Sequence, residues 1–247
     1  MVTIQWNLPW RTIQIGINVT TIVTGFCTFL PLSYVLMYFR WQCPIHANLA
    51  ILGVNESAIL VDLQNTIWGS TNECRYTTYS PLSASIHAFI WCWFFLLLKS
   101  QLKAEQKEFP LFVFSSILHS IMFVASFVSS SVLSDGINVW CFHVTNAIKY
   151  KGYSMSCSQT QHLLWPNIYE ENQTHPINTF LRTAQISSWL QTLTILCQTL
   201  VCGYKLYSWI VATTEGYLDI RKCGHSPSLH SVNGEDNISD DNDNNPI

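Results

Sequence analysis

The sequence predicts an all-α transmembrane four-helix bundle with a small disulfide-tied extracellular β-sheet cap and a disordered C-terminal tail. Three observations lead there. Only 11% of the 247 residues are charged while 49% are apolar, whereas soluble domains with a similar apolar share carry about 25% charge. Residues 12–39, 82–98, 109–134 and 183–204 contain no Asp, Glu, Lys or Arg. The segments on one side of these stretches hold an even set of cysteines and two β-prone runs. The same numbers exclude other classes. Twelve Lys and Arg against 15 Asp and Glu leave a net charge of −3 and no basic face for nucleic acid. Nine cysteines are too dilute for a disulfide miniprotein.

Each charge-free stretch is near or above the roughly 20 helical residues that cross a hydrocarbon core of about 30 Å. Runs such as FIWCWFFLLL lack the alternation of a barrel strand, so helices are the only spanning structure left. The first span, 12–39, is too long for a signal-peptide core and reads as a retained anchor. Pro31 is expected to bend it or break its hydrogen bonding locally. Trp6, Trp10, Tyr38, Trp41, Trp140, Tyr204, Tyr207 and Trp209 fall near the predicted ends, where amphipathic rings favour the headgroup layer.

Four spans put both termini on one side. The segments 1–11, 99–108 and 205–247 carry Arg11, Lys99, Lys103, Lys107, Lys205, Arg221 and Lys222 near membrane ends. The longer loops 40–81 and 135–182 carry only Arg40, Arg75, Lys149, Lys151 and Arg182. The positive-inside rule therefore places both termini in the cytosol, in the plasma membrane or an endomembrane. The sequons at Asn55 and Asn172 then lie in the outer loops and are expected to carry glycans. Those at Asn18, inside a span, and Asn237, in the tail, are expected to stay bare.

The outer loops hold Cys43, Cys74, Cys141 and Cys157 on the oxidising side, while Cys27, Cys92, Cys197, Cys202 and Cys223 do not. Pairing Cys43 with Cys74 and Cys141 with Cys157 closes two local loops and is preferred; a cross-loop staple is the geometric alternative. Cys43-Pro-Ile-His46 and Cys141-Phe-His143 resemble metal-ligand spacing, but neither has the repeated close pair of a zinc site. No metal and no cofactor is expected. HANLAILGV and SAILVDLQ read as strands around Asn55-Glu56, and ECRYTTYS, residues 73–80, reads as a third. The turn-rich stretch 165–176 of the second loop reads as irregular and exposed, either a partner surface or a glycosylated shield.

Ionisable groups inside the spans are the usual mark of transport chemistry. Here they are His87 and His119, with no intramembrane acid or base beside them, and each reads as a neutral imidazole bonded to a neighbouring helix. Gln185, Gln191 and Gln198 lie on the fourth span; the last two are seven apart and share a face with Ser187, Ser188 and Thr194. The third span repeats small residues at four-residue spacing, as Ser116/Ser120, Ala125/Ser129 and Ser126/Ser130. Packing is the plain reading of this set. A water-filled path along His119, Gln191 and Gln198 is the alternative.

No Walker loop, nucleophile elbow, HExxH motif or pair of intramembrane aspartates is present, so no enzymatic activity is expected. Residues 205–223 keep Tyr207, Trp209, Ile210, Val211 and Tyr217 and are expected to continue as a helix onto the inner leaflet, with Cys223 a palmitoylation candidate. From residue 224 the chain is polar, acidic and free of aromatics, the composition of disorder, with Ser226 and Ser239 as phosphorylation candidates in what is otherwise a solvated tail.

Arg40-Trp-Gln-Cys43, Cys74-Arg75, Trp140-Cys141, Ser156-Cys157 and Ala184-Gln-Ile-Ser-Ser-Trp189 occur in an order and spacing that resemble the transmembrane protein 179/179B family. The resemblance covers about residues 40–209. It implies a tetraspan protein with cytosolic termini and no catalytic activity to carry over. The first loop with its disulfide is similar to claudins in general plan. Trp68-Gly69 is followed by one cysteine where the claudin signature has Gly-Leu-Trp and two, and the second loop is longer, so tight-junction strand formation is not implied. The expected function is that of a non-enzymatic multi-pass protein, surrounded by membrane lipids, that binds a protein partner through its outer loops in an accessory or adhesive role. A small channel or transporter between spans three and four is the alternative.

Overall fold

The computed structural model describes residues 10–54, 59–98, 109–154, 156–159 and 177–223. In chain order these form α1 (Trp10–Tyr38), β1 (Asn48–Val54), β2 (Ile59–Ile67), α2 (Thr71–Leu98), α3 (Phe109–Tyr150) and α4 (Ile177–Cys223). All four helices are long and apolar enough to cross a membrane, over Thr12–Tyr38, Thr71–Leu97, Val113–Tyr150 and Ile177–Thr214. Asn55, Asn172, Asn237, the 99–108 connection, the 165–176 stretch and the tail beyond 223 lie outside the described residues.

α1 runs unbroken through Pro31. It closes on a Schellman motif, in which the Trp41 N–H reaches the Leu36 carbonyl at 2.8 Å and the Arg40 N–H that of Met37 at 3.1 Å. Arg40 (φ 54°) and Trp41 (φ 65°) both take the left-handed conformation, which side chains other than glycine rarely adopt.

The expected third strand, residues 73–80, is instead the opening of α2. Ser70-Thr-Asn-Glu73 has the spacing of a capping box. The Cys74 N–H bonds to the Ser70 carbonyl at 3.2 Å, and the Thr77 hydroxyl donates to the Glu73 carbonyl at 2.9 Å. Cys74, Thr77 and Thr78 are buried while Arg75, Tyr76 and Tyr79 are exposed, a helical period that overrides the β-propensity of Tyr and Thr. Likewise α3 does not stop at residue 134. It continues through Asp135, whose side chain faces outward, because Leu133, Ile137, Trp140, Val144 and Ile148 recur at three- and four-residue spacing on a buried face. Trp140, expected in the interfacial belt, is therefore core, 1% exposed.

The sheet is one antiparallel hairpin, with Ala50 opposite Asp62, Ile51 opposite Val61 and Val54 opposite Ile59. Its register shifts between Asn48 and Ala50, because Asn48 pairs with Ile67. The extra residues of β2 are wound on Asp62: its carboxylate accepts the Gln64 and Asn65 N–H groups at 3.0 and 3.2 Å and the Asn65 amide at 2.6 Å. Asn65, through its side-chain amide first and its N–H second, together with Gln64, holds the Asp62 carboxyl below its ordinary pKa.

The interior has two kinds of core. At the sheet-bearing end it is apolar, built from Leu32, Val35, Phe39, Ile45, Leu49, Leu133, Ile137, Trp140, Leu181 and their neighbours. Deeper in the bundle it is polar and small: Gln14, Asn18, Thr21, Ser115, His119, Ser126, Ser130, Ser188, Gln191 and Gln198 are buried there. The outward faces carry Phe26, Leu30, Phe89, Trp93, Ile117, Ile121 and Leu193. That inversion suits lipid, where apolar side chains gain nothing by leaving the hydrocarbon and helices associate through close packing and hydrogen bonds.

Candidate functional site

Two constellations carry chemistry. The first is at the sheet-bearing end, where the turn after α1 is held from several directions. Cys43 is disulfide-bonded to Cys74, with Cα atoms 5.8 Å apart, and Cys141 to Cys157 at 5.5 Å. This is the pairing that closes the two local loops. Ile45 is 3% exposed and lies against Gly69 and Gly136, where a Cβ would meet the Ile45 carbonyl and side chain. Next to it His46, at φ 61°, bonds through Nε2 to Asp135 Oδ2 at 3.1 Å. Glu73 Oε2 stands 3.3 Å from Nδ1, at ion-pair distance without hydrogen-bond alignment. His46 thus points one ring nitrogen at α2 and the other at α3, which is a bridge and not a chelate. Among the described residues no cluster of His, Cys, Asp and Glu could hold a metal ion.

The second constellation is in the bundle. His87 of α2 and His119 of α3, far apart in sequence, meet edge to face with ring centroids 4.9 Å apart, and Trp91 packs on both. His119 Nδ1 lies 2.7 Å from the Ser115 carbonyl. A carbonyl can only accept, so Nδ1 carries the proton and Nε2 of the neutral ring is an acceptor. The expected bond to a neighbouring helix is thus made within α3 itself. Ser115 continues the chain of polar contacts to Cys202 Sγ (3.9 Å), which accepts from the Gln14 amide (3.6 Å).

Gln198 faces the two imidazoles. Together with Asn18, Thr21, Ala84, Met122 and Ile195 they line a cavity of about 10 Å³. His87 Nε2, His119 Nε2 and both amide atoms of Gln198 are buried without a hydrogen-bond partner among the described residues. A space of this size admits a single water with two to four polar partners. Gln191 is engaged elsewhere. Its amide donates to the Pro81 carbonyl of α2 at 3.0 Å, beside Gly25 of α1. The three helices meet so closely that a Cβ on Gly25 would strike Ser85 and stand 2.8 Å from the Pro81 carbonyl. Farther toward the cap, Thr28 bonds to Ser187 at 3.0 Å and Ser130 to Thr192 at 2.9 Å.

The transmembrane protein 179/179B claudin domain matches residues 10–215, from the start of α1 into the last turns of α4. The chain belongs to the transmembrane protein 179/179B family. No curated protein and no solved structure matches the chain. Membership in the 179/179B family and the four apolar helices make this an integral multi-pass membrane protein with a claudin-like domain.

The residues singled out from the sequence of this 179/179B member divide between the two constellations. His87, His119 and Gln198 come together. Gln185 does not: it accepts from Arg182 at 2.8 Å on an exposed surface, one turn from the start of the apolar run. Of the small-residue pairs, Ser126, Ser129 and Ser130 are buried, whereas Ser120 is exposed and bonds back to the Ser116 carbonyl. Sequence reasoning missed Gln14, Asn18, Gly25, Gly69 and Gly136. A Gly within a spanning helix and a polar pair at i, i+4 in the first span were the available signals.

Proposed function

We propose that the protein is a non-enzymatic accessory membrane protein whose disulfide-tied cap, with both termini cytosolic, binds a protein partner. The observation that carries this reading is the outward face of the cap-level part of α3. Beyond Gly136, which packs on the first-loop turn, the helix presents Asn138, Phe142, Asn146, Lys149 and Tyr150 at three- and four-residue spacing; Phe142 is 62% and Tyr150 89% exposed. Phe and Tyr are enriched in the buried cores of protein interfaces, and Tyr among binding hot spots. The opposite face is fixed by Trp140, Val144 and Ile148 and by the Cys141–Cys157 bond, so this surface is pre-organised and loses little entropy on binding. The alternative, a channel along α3 and α4, has a polar seam in its favour, but the cavity there has the volume of one water.

A photo-crosslinking residue placed at Phe142 or Tyr150 in living cells is expected to trap one protein reproducibly, and at the lipid-facing Ile121 none. Phe142→Ala with Tyr150→Ala, and separately Cys141→Ser, are expected to abolish that adduct. An adduct unchanged by the alanines, or equally strong from Ile121, would remove the surface from consideration.

A further inference from the structure

We propose that the cleft between the end of α1 and the start of α2 is a phospholipid site, with the Arg75 guanidinium as the ligand of the lipid phosphate. The cleft has a volume of about 380 Å³, within the range of small-molecule sites, and is lined by Leu36, Trp41, Thr71, Cys74, Arg75 and Tyr79. Thr71, Arg75 and Tyr79 are spaced by four on α2, so they form one stripe along the helix. Leu36 and Trp41 are the two ends of the Schellman bond that closes α1, and the left-handed Arg40 and Trp41 turn the indole outward. Such backbone strain is retained where the surrounding structure holds it, often at ligand sites.

The lining is graded along the membrane normal. Leu36 belongs to the apolar run of α1, and Tyr79 borders the charge-free run of α2. Arg75 and Thr71 lie successively farther from that run. Trp41 is 65% and Tyr79 50% exposed, as expected of rings at headgroup depth. Arg75 has no carboxylate partner among the described residues: the nearby Glu73 is directed at His46, and no other ion pair includes the guanidinium. A free guanidinium above an aromatic and apolar wall matches a phosphodiester above its acyl chains, because Arg presents a planar fork of donors to phosphate. The disulfide of Cys74 to Cys43 ties the two walls together, so the site is built before a lipid enters it.

The full chain, purified in a phosphate-free detergent, is titrated with phosphatidylcholine or with diacylglycerol and analysed by native mass spectrometry. Wild type is expected to retain phosphatidylcholine and not diacylglycerol. Arg75→Gln is expected to weaken retention by about tenfold to a hundredfold, the range of one hydrogen bond to a charged group. Arg75→Lys recovers part of the loss, and Trp41→Ala weakens retention of phosphatidylcholine. Arg75 is exposed, so the variants are checked for an intact Cys43–Cys74 bond and then compared directly. Equal retention by wild type and Arg75→Gln overturns the proposal. So does displacement of the lipid by soluble glycerophosphate, which would make the site one for a free phosphate.

Discussion

Substituting Gly25 by Ala tests the closest approach in the bundle. The added Cβ would overlap the Ser85 hydroxyl, stand 2.5 Å from the Gln191 amide and 2.8 Å from the Pro81 carbonyl. The first two are side chains and can turn away, at the loss of the bond from Gln191 to Pro81, worth about 0.6 kcal/mol in a membrane. The Pro81 carbonyl is backbone, and relieving that contact moves α2 against α1, an overpacking that costs typically 1–3 kcal/mol. Alanine returns up to about 1 kcal/mol of helix propensity. The balance is a destabilisation of about 1–2 kcal/mol, or roughly 2–8 °C in Tm. Gly16, in the same helix, is the internal control, because nothing lies within 4 Å of its Cβ position. Gly16→Ala should be neutral or stabilising. Thermal unfolding in micelles, followed by the loss of the monodisperse peak, measures both. A Gly25→Ala protein as stable as Gly16→Ala would refute the three-helix contact.

Four further outcomes are expected. A double-mutant cycle with Ser130→Ala and Thr192→Ala should return a coupling near 0.6 kcal/mol, the typical membrane value, when unfolding is titrated in mixed micelles. Folding lowers the Asp62 pKa, so the bulge gains from the carboxylate above the unfolded value and loses this gain as pH falls through the folded one; hydrogen-exchange protection at Gln64 and Asn65, corrected for the intrinsic rate at each pH, should therefore fall on acidification, and Asp62→Asn should abolish the dependence. Liposomes containing the purified protein should show no conductance above empty controls, and a current lost in His119→Ala/Gln191→Ala would favour the channel. Glycosidase should shift the mobility of wild type but not of Asn55→Gln/Asn172→Gln, and sugar on Asn237 would reverse the orientation.

The spans were legible because lipid excludes charge, and 12–39 or 183–204 states that exclusion locally. The disulfide partners were legible because loop closure is local too. The helical start of α2 was visible in Ser70-x-x-Glu73 yet was outvoted by the β-propensity of Tyr76, Thr77, Thr78 and Tyr79, which says little about a segment whose neighbours supply a helical groove. The extension of α3 was written in the 133, 137, 140, 144, 148 period, but Asp135 read as an end when it is a polar residue on the outer face that bonds to His46. His87 against His119, Gly25 under Pro81 and Ile45 between Gly69 and Gly136 are contacts between distant parts of the chain. No window of sequence contains both partners, so only the packed structure brings them to view.

The length of α3 has a consequence for which partners can be met at all. From the end of the charge-free run at residue 134 to Tyr150 the helix rises about 24 Å, and it is buttressed there by the apolar core around Trp140 and Ile148. Tyr150 therefore stands about 24 Å beyond the charge-free run, on a stalk of fixed height. In the accessory role proposed above, a partner with only short loops on that side of the membrane would not reach Tyr150 from a neighbouring position, so the stalk would select by stature before it selects by chemistry: its match would be a molecule that either stands equally tall beside it or comes from beyond the membrane altogether.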